Sequence, residues 1–504
     1  MLNSSTACFW MKQVFHNKGS TVDQHGARQT TAAFENFYEY TATGMEKFPV
    51  PDEQPVYLAA RLDGLASARL LHAPVSLTSR FPVTVLELDI ERVEVDRLLR
   101  EMIALQEELD WQCYRLYNIT EDELTYRDAA GEPATPPELR LGERAFEIVL
   151  ARRMAAGEEE TTWFQRHGST PITELPAHWP ADYRALVERR MERIQQDRYV
   201  GLVERPEYKR RWNTEPWEAQ ATRALQEWLK TRLEDPAYWP QPRLQTTRTL
   251  ADRAQRDPDF MAVAELHRGH AGFDVHALVR ELVEAETVPF LPVLRYKLAG
   301  LRKREVWERT WELQRQEDAI DAQVAAQLRR EAGESEAQHA TRVAAEQKRR
   351  KQEEVGDIAR PPKYTSADFA SPVFWRHRGA LDVPKERFIG YPFCSRENDP
   401  SPLVGWAGWN HLEQAQALGE WINEVQQQEG WGPPRLTPLL AGMAELIPWL
   451  KQWHAEPVPG YGRMDQFFET FLDTKLHEHD LTPRDLREWT PPAAPRGRRR
   501  AGAA

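Results

Sequence analysis

Three closely spaced histidines are the first residues whose type and spacing could support chemistry, because imidazole is a common ligand of zinc. They are His267, His270 and His276. No cysteine or carboxylate stands in register to complete a ligand set, and the three fall on a predicted loop and helix start. We therefore expect no metal site there. The HEHD run at 477–480 has the composition of a solvent-exposed helix end.

A second constellation loosely resembles the carboxylate pair of a nuclease. Asp257 and Asp259 flank a proline, and Glu265 follows them. The lysine that such a site needs soon after its glutamate is missing, since Leu266 and His267 occupy those positions. Because Asp-Pro-Asp is a common start of a helix, the pattern predicts an N-terminal cap and not a catalytic site.

A polar loop near the N-terminus contains the first set of candidate DNA contacts. These are Lys12, His16, Asn17, Lys18, Gln24, His25, Arg28 and Gln29. Lysine and arginine can hold phosphates, whereas Asn, Gln and Arg can read base edges, which is what a DNA-recognition loop requires. An ordinary polar surface loop has the same residue types, and composition alone favours that interpretation over a DNA-recognition loop.

A second basic segment lies far along the chain. Its cations are Arg376, His377, Arg378, Lys385 and Arg387. Trp375 and Phe388 stand beside them, and Asp382 and Glu386 are the acids within the segment. This strip could follow a phosphate backbone, or it could be the charged face of a pair of strands. Neither interpretation is favoured by the residues themselves.

The overall composition restricts the classes of protein to consider. The chain has 504 residues and a net charge of −12, so contact with DNA must use local basic patches. Its three cysteines are far apart, which favours a reduced cytoplasmic protein. No stretch approaches the roughly 20 apolar residues of a membrane span, and no signal-peptide pattern opens the chain. The 18 tryptophans are more typical of helix crossings than of base-stacking platforms.

The elements that must position these residues are mostly helices. Apolar residues recur at three- and four-residue steps over 90–117, and from 161 onward one helical pattern follows another. A small mixed α/β part is predicted at the N-terminus, and alternation predicts a short β element near 374–391. The fold class is therefore mainly α and multi-helical.

Composition shifts divide the chain into six predicted segments. The range 326–362 reads as a charged helical spacer, because its apolar side chains are few and small. The segments are 1–85 (N-terminal part), 86–160 (helical connector), 161–325 (helical domain), 326–362 (spacer), 363–490 (C-terminal helical domain) and 491–504 (disordered basic tail).

Several long segments resemble the sequences of one family of proteins. They include LNSSTACFWMKQ (2–13), HNKGSTVDQHGARQTT (16–31), LQEELDWQCYRLYNITEDEL (105–124), YKRRWNTEPWE (208–218), LDVPKERFIGYPFCSRENDPSPLVGWAGWNHLEQAQAL (381–418) and LTPLLAGMAELIPWLKQWHAEP (436–457). The stretches at 161–195 and 288–318 resemble the same family. The family is the PglX-type adenine-specific DNA methyltransferases of type 2 BREX phage-defence systems, and the resemblance covers essentially residues 1–490.

The resemblance implies a site-specific adenine N6 methyltransferase that uses S-adenosylmethionine. It also implies that residues 1–85 are the C-terminal end of the target-recognition region of such an enzyme. Such an enzyme needs a glycine-rich turn for the methyl donor and an Asn/Asp-Pro-Pro-aromatic loop for the extruded adenine. The sequence contains neither motif, since Pro361 and Pro362 stand between Arg360 and Lys363. No catalytic, cofactor-binding or metal-binding residue can therefore be carried over. We expect the C-terminal half of the enzyme, encoded as a gene fragment, after a mis-assigned start, or as a split subunit.

Two functional hypotheses follow. In the first, the chain is a target-recognition and docking part that contacts double-stranded DNA through the N-terminal loop. Its partners would be the N-terminal methyltransferase domain and other BREX subunits, and it would be inactive alone. In the second, it is a stand-alone helical interaction module without DNA contact, which the net charge of −12 favours.

Overall fold

A computed structural model describes residues 1–19, 33–80, 83–212, 215–379 and 386–492. The chain divides into two compact units, Met1–Leu225 (unit 1) and Gln226–Ala504 (unit 2). Helices dominate both units and the sheets are small, so the predicted mainly α class is confirmed. The six predicted segments remain a finer prediction than this division.

Unit 1 consists of helices and a small N-terminal hairpin. Its helices are α1 (Ser5–Val14), α2 (Ala42–Met45), α3 (Val56–Leu71), α4 (Pro74–Leu77), α5 (Val85–Leu116), α6 (Ala145–Ala155), α7 (Trp163–His167), α8 (Ala181–Gln196) and α9 (Arg198–Val203), and α10 (Trp217–Leu233) continues into unit 2. Its strands are β1 (His16–Gly19) and β2 (Phe37–Glu39), which pair antiparallel. The predicted small α/β part at the N-terminus is thus present.

Helix α5 is the central element of unit 1. A capping box closes its amino end, where Thr84 and Glu87 exchange hydrogen bonds. Asn118 follows its carboxyl end with a positive φ of 54°, a left-handed conformation that asparagine tolerates better than most residues. The predicted periodicity is realised, because Leu98, Met102 and other apolar side chains of its carboxyl-terminal part are buried. Helix α3 packs along α5, and α6 packs on α8.

Unit 1 contains two buried ion pairs, of which one joins α8 to α5 and the other lies at the amino end of α6. The guanidinium of Arg190 on α8 lies 2.8 Å from both carboxylate oxygens of Glu108 on α5. Arg144, at the start of α6, pairs with Glu147 at 2.8 Å, and the indole of Trp163 donates to the same carboxylate at 3.0 Å. Both arginines are almost inaccessible to solvent. Such pairs specify geometry, because separating one buried partner from the other is costly.

Unit 2 combines a four-stranded sheet with further helices. Its strands are β3 (Gln245–Thr246), β4 (Thr287–Pro289), β5 (Phe388–Gly390), β6 (Leu403–Trp406), β7 (Pro457–Val458) and β8 (Gly462–Arg463). Its helices are α11 (Thr247–Ala254), α12 (Pro258–Arg268), α13 (Val275–Glu286), α14 (Pro292–Arg295), α15 (Leu298–Gln327), α16 (Glu336–Glu354), α17 (Pro372–Phe374), α18 (His411–Glu429), α19 (Pro433–Trp453), α20 (Met464–Glu478) and α21 (Pro483–Glu488). The sheet order is β3-β6-β5-β4, in which only the β4–β5 pair is parallel among the described strands.

The short β element predicted near 374–391 is only partly a strand. Strand β5 occupies Phe388–Gly390, but the amino end of the segment is helical: α17 runs directly into a π-helical turn at Trp375–Gly379. The strand predicted from the alternation of side chains was therefore wrong for the part of the segment before 380. Ser371 caps the helix by accepting from the amide of Val373, and Pro372 occupies the first helical position, where its missing amide costs nothing.

Charged helix α16 packs against α15, and none of its described side chains is buried. Asp257 accepts hydrogen bonds from the amides of Asp259 and Phe260 and so caps α12, as predicted. Among the residues that the structure describes, no helix is both long and apolar enough to cross a lipid bilayer.

Two glycines with positive φ give a matched test of the fold. Gly142 has φ 99°, and a Cβ there would collide with the carbonyl of Thr170, whereas Gly131 has φ 83° and open space around it. We expect Gly131→Ala to lower the free energy of unfolding by about 1 kcal/mol from backbone strain alone. Gly142→Ala should cost about 3 kcal/mol or more, because backbone must also move. Denaturant unfolding of both variants measures this, and equal costs would contradict the assigned close contact.

Candidate nucleic-acid interface

The N-terminal hairpin presents three of the predicted DNA contacts to solvent. His16 pairs in register with Glu39, and Asn17 pairs with Tyr38. The side chains of His16, Asn17 and Lys18 are exposed. The ammonium of Lys18 lies 3.1 Å from the carboxylate of Glu39, and both side chains are about half exposed. A solvent-exposed pair of this kind contributes about 0–1 kcal/mol, so a phosphate can replace the carboxylate at little cost.

Lys12 faces the protein more than the solvent. Its ammonium donates a hydrogen bond to the carbonyl of Glu207. It also lies 5.3 Å from the ring centroid of Tyr38 and 5.8 Å from that of Tyr208. Burial, and then the nearby positive charge of Arg211, lowers the pKa of Lys12. These contacts tie α1 to β2 and to the turn at Pro206–Tyr208 (a 3₁₀ turn), so Lys12 holds the hairpin in place.

Gln24, His25, Arg28 and Gln29 lie outside the described residues, in the connection between β1 and β2. The paired strands β1 and β2 therefore hold the residues at which that connection begins and ends. Below it, an aromatic cluster supports α1: Trp10 contacts Phe48 at 5.2 Å between ring centroids, and Phe15 contacts Tyr40 at 5.2 Å.

An arginine cluster in unit 1 was missed in the sequence. Arg69, Arg210, Arg211 and Trp212 line a cavity of about 470 Å³ whose other lining residues are uncharged. The guanidinium of Arg210 lies 4.3 Å from the ring centroid of Trp212. Arg211 is close enough to Lys12 to influence its pKa. The cluster thus adjoins α1 and the base of the hairpin.

Two nitrogens in this cavity lack partners. Trp212 is 6% exposed, and its indole nitrogen has no hydrogen-bond partner in the described part of the chain. The buried Nε of Arg69 has none either. Burial lowers the pKa of Arg69 and of Arg210, while Asp96 and Asp110 respectively act in the opposite direction. Buried donors without acceptors favour an anion such as a phosphate group.

The signal for this cluster was the run YKRRWN at 208–213, where adjacent arginines stand beside two aromatic residues. The sequence alone does not distinguish the cations of this run that face the cavity from Lys209, which is fully buried and stabilises the fold. Its ammonium lies 2.9 Å from Asp110 and 2.8 Å from Glu204. Asp110 also accepts from the amide and the hydroxyl of Ser5, at 2.9 and 2.6 Å.

The buried cluster of Lys209, Asp110, Glu204, Tyr114 and Glu107 contains three acids for one lysine. The hydroxyl of Tyr114 donates to Glu204. Burial raises the pKa of Glu204 to about 7, although Lys209 acts to lower it. The same acids raise the pKa of Lys209. The lysine is therefore charged at neutral pH, and Glu204 titrates in the physiological range.

The second basic strip is largely compensated by neighbouring acids. The guanidinium of Arg387 contacts Glu234 and lies 3.0 Å from Glu227. Arg378 pairs with Glu386. Arg376 is exposed on the π-helical turn, and Lys385 and Asp382 lie outside the described residues. The strip lies in unit 2, whereas the hairpin and the arginine cluster lie in unit 1.

The histidines considered for a metal site are on separate elements. His276 lies 3.6 Å from Asp252, and His270 follows the end of α12. Within the described ranges, no group of at least three His, Cys, Asp or Glu side chains is arranged to hold a metal ion.

Comparison with known proteins places these features in a family. The model of a domain of unknown function, DUF7008, matches residues 102–500. The chain is similar to a Streptomyces coelicolor protein described as adenine-specific methyltransferase PglX, with 44% identity over 99% of this chain. It spans 39% of that relative's length. No solved structure matches.

The titration of Glu204 gives a pH-dependent prediction. Its folded pKa of about 7 lies above its ordinary value of 4.5, so the native state retains a proton that the unfolded chain has lost. This group's stabilising contribution is full below pH 4.5 and is lost as the pH rises through about 7. The unfolding free energy of Glu204→Gln relative to wild type should rise by about 2–3 kcal/mol between pH 5 and pH 8, because only the wild type loses this contribution.

Calorimetric Tm values of the full chain at both pH values check this, with the exposed Glu121→Gln as the control variant. A difference between Glu204→Gln and wild type that does not change with pH would contradict a titrating Glu204.

Proposed function

Because this chain belongs to the DUF7008 family, we propose that it forms the target-recognition and partner-docking part of an adenine-specific DNA methyltransferase of the PglX type, without methyl-transfer activity of its own. The observation that carries the proposal is the 44% identity over 99% of the chain to a protein of that description. The enzyme would act in the cytoplasm within a BREX phage-defence system, together with the other subunits of that system.

Methyl transfer is assigned to the part of the enzyme outside this chain. The relative is more than twice as long as the matched region, since the chain spans 39% of it. The sequence contains no glycine-rich donor turn and no Asn/Asp-Pro-Pro-aromatic loop. The residues present therefore do not fit S-adenosylmethionine in the way that the family requires, and no catalytic step is assigned to them.

DNA contact is assigned to unit 1. The exposed His16, Asn17 and Lys18 stand at the start of the connection that contains Gln24, Arg28 and Gln29. Arg210 and Arg211 add positive charge at the cavity with Trp212, and Arg211 is close enough to Lys12 to influence its pKa. Phosphates would bind the lysine and the arginines, and the amides would read base edges. Lys12 contributes by holding the hairpin, through its contacts with Glu207 and Tyr38.

The second basic strip, in unit 2, is a weaker candidate for contact with DNA. Arg387 is 21% exposed and satisfied by two glutamates, so it serves to attach β5 to α10. Arg376 remains a candidate phosphate contact because its side chain is exposed.

Docking to the rest of the enzyme is supported by an exposed apolar face of unit 1. It comprises Val56, Tyr57, Leu70 and Leu71 of α3, Val75 of α4, and Val85, Leu86, Ile90 and Val93 of α5. Each of these side chains is more than half exposed. Exposed apolar side chains on three neighbouring helices favour an interaction site, and the methyltransferase part of the same enzyme is the occupant that we propose. The helical unit 2 would dock other subunits of the system.

The DNA contacts predict a salt-dependent affinity for duplex DNA. We expect Lys18→Gln, Arg28→Gln and Arg211→Gln each to weaken binding about 3–10-fold. Each should also reduce the slope of log K against log salt by about 1, because each removes one phosphate contact. Fluorescence anisotropy with the full chain measures both quantities. Arg189→Gln on α8, which removes an equal charge from an exposed position, is the matched control.

Equal effects of the control and the three variants would indicate non-specific attraction only. No measurable binding by the wild-type chain would favour the alternative, a helical interaction module without DNA contact, which is consistent with the net charge of −12.

If methyl transfer belongs to the N-terminal domain and target recognition to this chain, DNA is methylated only when both parts are present. Purified chain with radiolabelled S-adenosylmethionine and DNA should give no incorporation above background. Addition of the matching N-terminal methyltransferase domain should restore adenine methylation. Substitution of Leu86→Asp and Ile90→Asp on the exposed face should reduce that restoration, whereas Lys348→Asp on α16 should not. Methylation by the chain alone would refute the proposal.

A further inference from the structure

A cavity of about 510 Å³ in unit 2 combines buried positive charge with aromatic walls. It lies among β4, β5, α14, α15, α18, α19 and the π-helical turn at Trp375–Gly379. Its charged lining comprises Arg295, Arg304, Arg378, Glu386 and Glu445. The volume is in the range of about 300–1,000 Å³ that is typical of small-molecule sites.

Arg295 is the decisive residue because its charge is buried without a carboxylate. The residue is 8% exposed, and its guanidinium donates to the carbonyl of Pro289 at 2.8 and 3.2 Å and to that of Phe290 at 3.3 Å. Within the described ranges, no carboxylate lies at ion-pair distance from it. Burial lowers the pKa of Arg295, and the nearby Arg304 lowers it further. A buried cation of this kind is costly unless an anion accompanies it.

The other charges that line the cavity do not supply that anion. Arg304 pairs with Glu445. Arg378 pairs with Glu386. The negative charges of both carboxylates are therefore compensated by these arginines, and the lining retains one excess positive charge. His411 adds none at neutral pH, because burial, and then His454 and Arg378, lowers its pKa.

The walls of the cavity provide flat surfaces for a ring. Trp409, Trp449 and Tyr391 line it, and the ring of His411 lies nearly parallel to that of Trp449, with an interplanar angle of 14° and centroids 5.5 Å apart. Glu386 supplies a free acceptor, since its Oε2 is buried and has no hydrogen-bond partner in the described structure. Its side chain is 5% exposed.

We infer that this cavity binds a free mononucleotide, whose phosphate groups lie against Arg295 and Arg378 and whose base or ribose donates a hydrogen bond to Glu386. The phosphate compensates the buried guanidinium, and charge-assisted hydrogen bonds from arginine to phosphate are strong and directional. The base gains from stacking on an aromatic wall. The site is in unit 2 and is independent of the DNA contacts proposed for unit 1.

Isothermal titration calorimetry of the full chain with AMP, ADP, adenosine and inorganic phosphate tests the inference. We expect ADP to bind more tightly than AMP, and both to bind at least about 10-fold more tightly than adenosine, because the phosphates meet the arginines. No binding of AMP or ADP at millimolar concentration would overturn the assignment. Adenosine binding as tight as that of ADP would also overturn it.

Two variants localise the ligand. Arg378→Gln should weaken ADP binding about 10-fold by removing a phosphate contact. Ala407→Leu, which adds volume inside the cavity, should abolish binding, and it serves if the arginine variant loses stability. Arg349→Gln removes an equal charge from exposed α16 and should leave the affinity unchanged. Unchanged affinity in both cavity variants, with unaltered Tm, would refute the site. Displacement of ADP by a short DNA duplex would refute a free mononucleotide as the ligand.

Discussion

The placement of the N-terminal elements depends on one buried ammonium group, that of Lys209. It connects α5, through Asp110, with the chain just before the arginine cluster, and Asp110 in turn fixes the amino end of α1 through Ser5. Since Lys209 has no exposed side-chain surface, its charge is stable only where the carboxylates surround it. The hairpin follows α1 directly and Arg210 follows Lys209 directly, so the same pair sets the position of both candidate contact surfaces.

Magnitudes separate the charges that build the fold from those that can bind a partner. Removing one member of a buried ion pair costs about 3–5 kcal/mol, whereas an exposed pair contributes about 0–1 kcal/mol. Lys209, Arg190 and Arg144 belong to the first class and are unavailable to DNA. Lys18 belongs to the second, because a phosphate can take the place of Glu39. The raised pKa of Glu204 has a related cause, because one proton on this carboxyl reduces the excess of negative charge around a single buried lysine.

Local patterns in the sequence predicted the helices well and the environment of the cations poorly. The apolar spacing of α5, the stop at Asn118 and the cap at Asp257 each depend on neighbouring residues. The partners of Lys12 and Arg387, in contrast, are distant in sequence. Glu207 is 195 positions from Lys12, and Glu227 is 160 positions from Arg387. The strand misassignment before Phe388 has a local cause. Period-two alternation over a few residues cannot outweigh a serine cap followed by proline.

Arg295 and Arg69 each line a cavity, and neither has a carboxylate at ion-pair distance among the described residues. The chain has 78 acidic residues against 66 basic ones, so an acid is available for most arginines, and Arg144, Arg190 and Arg387 each have one. Arg295 is buried against backbone carbonyls alone, and Arg69 shares its cavity with uncharged residues and two other arginines. In an acidic protein, buried or partly buried cations without such a carboxylate raise the free energy of the unliganded fold. A sequence that keeps them in the fold gains stability when an anion binds, and this couples ligand binding to the stability of each unit.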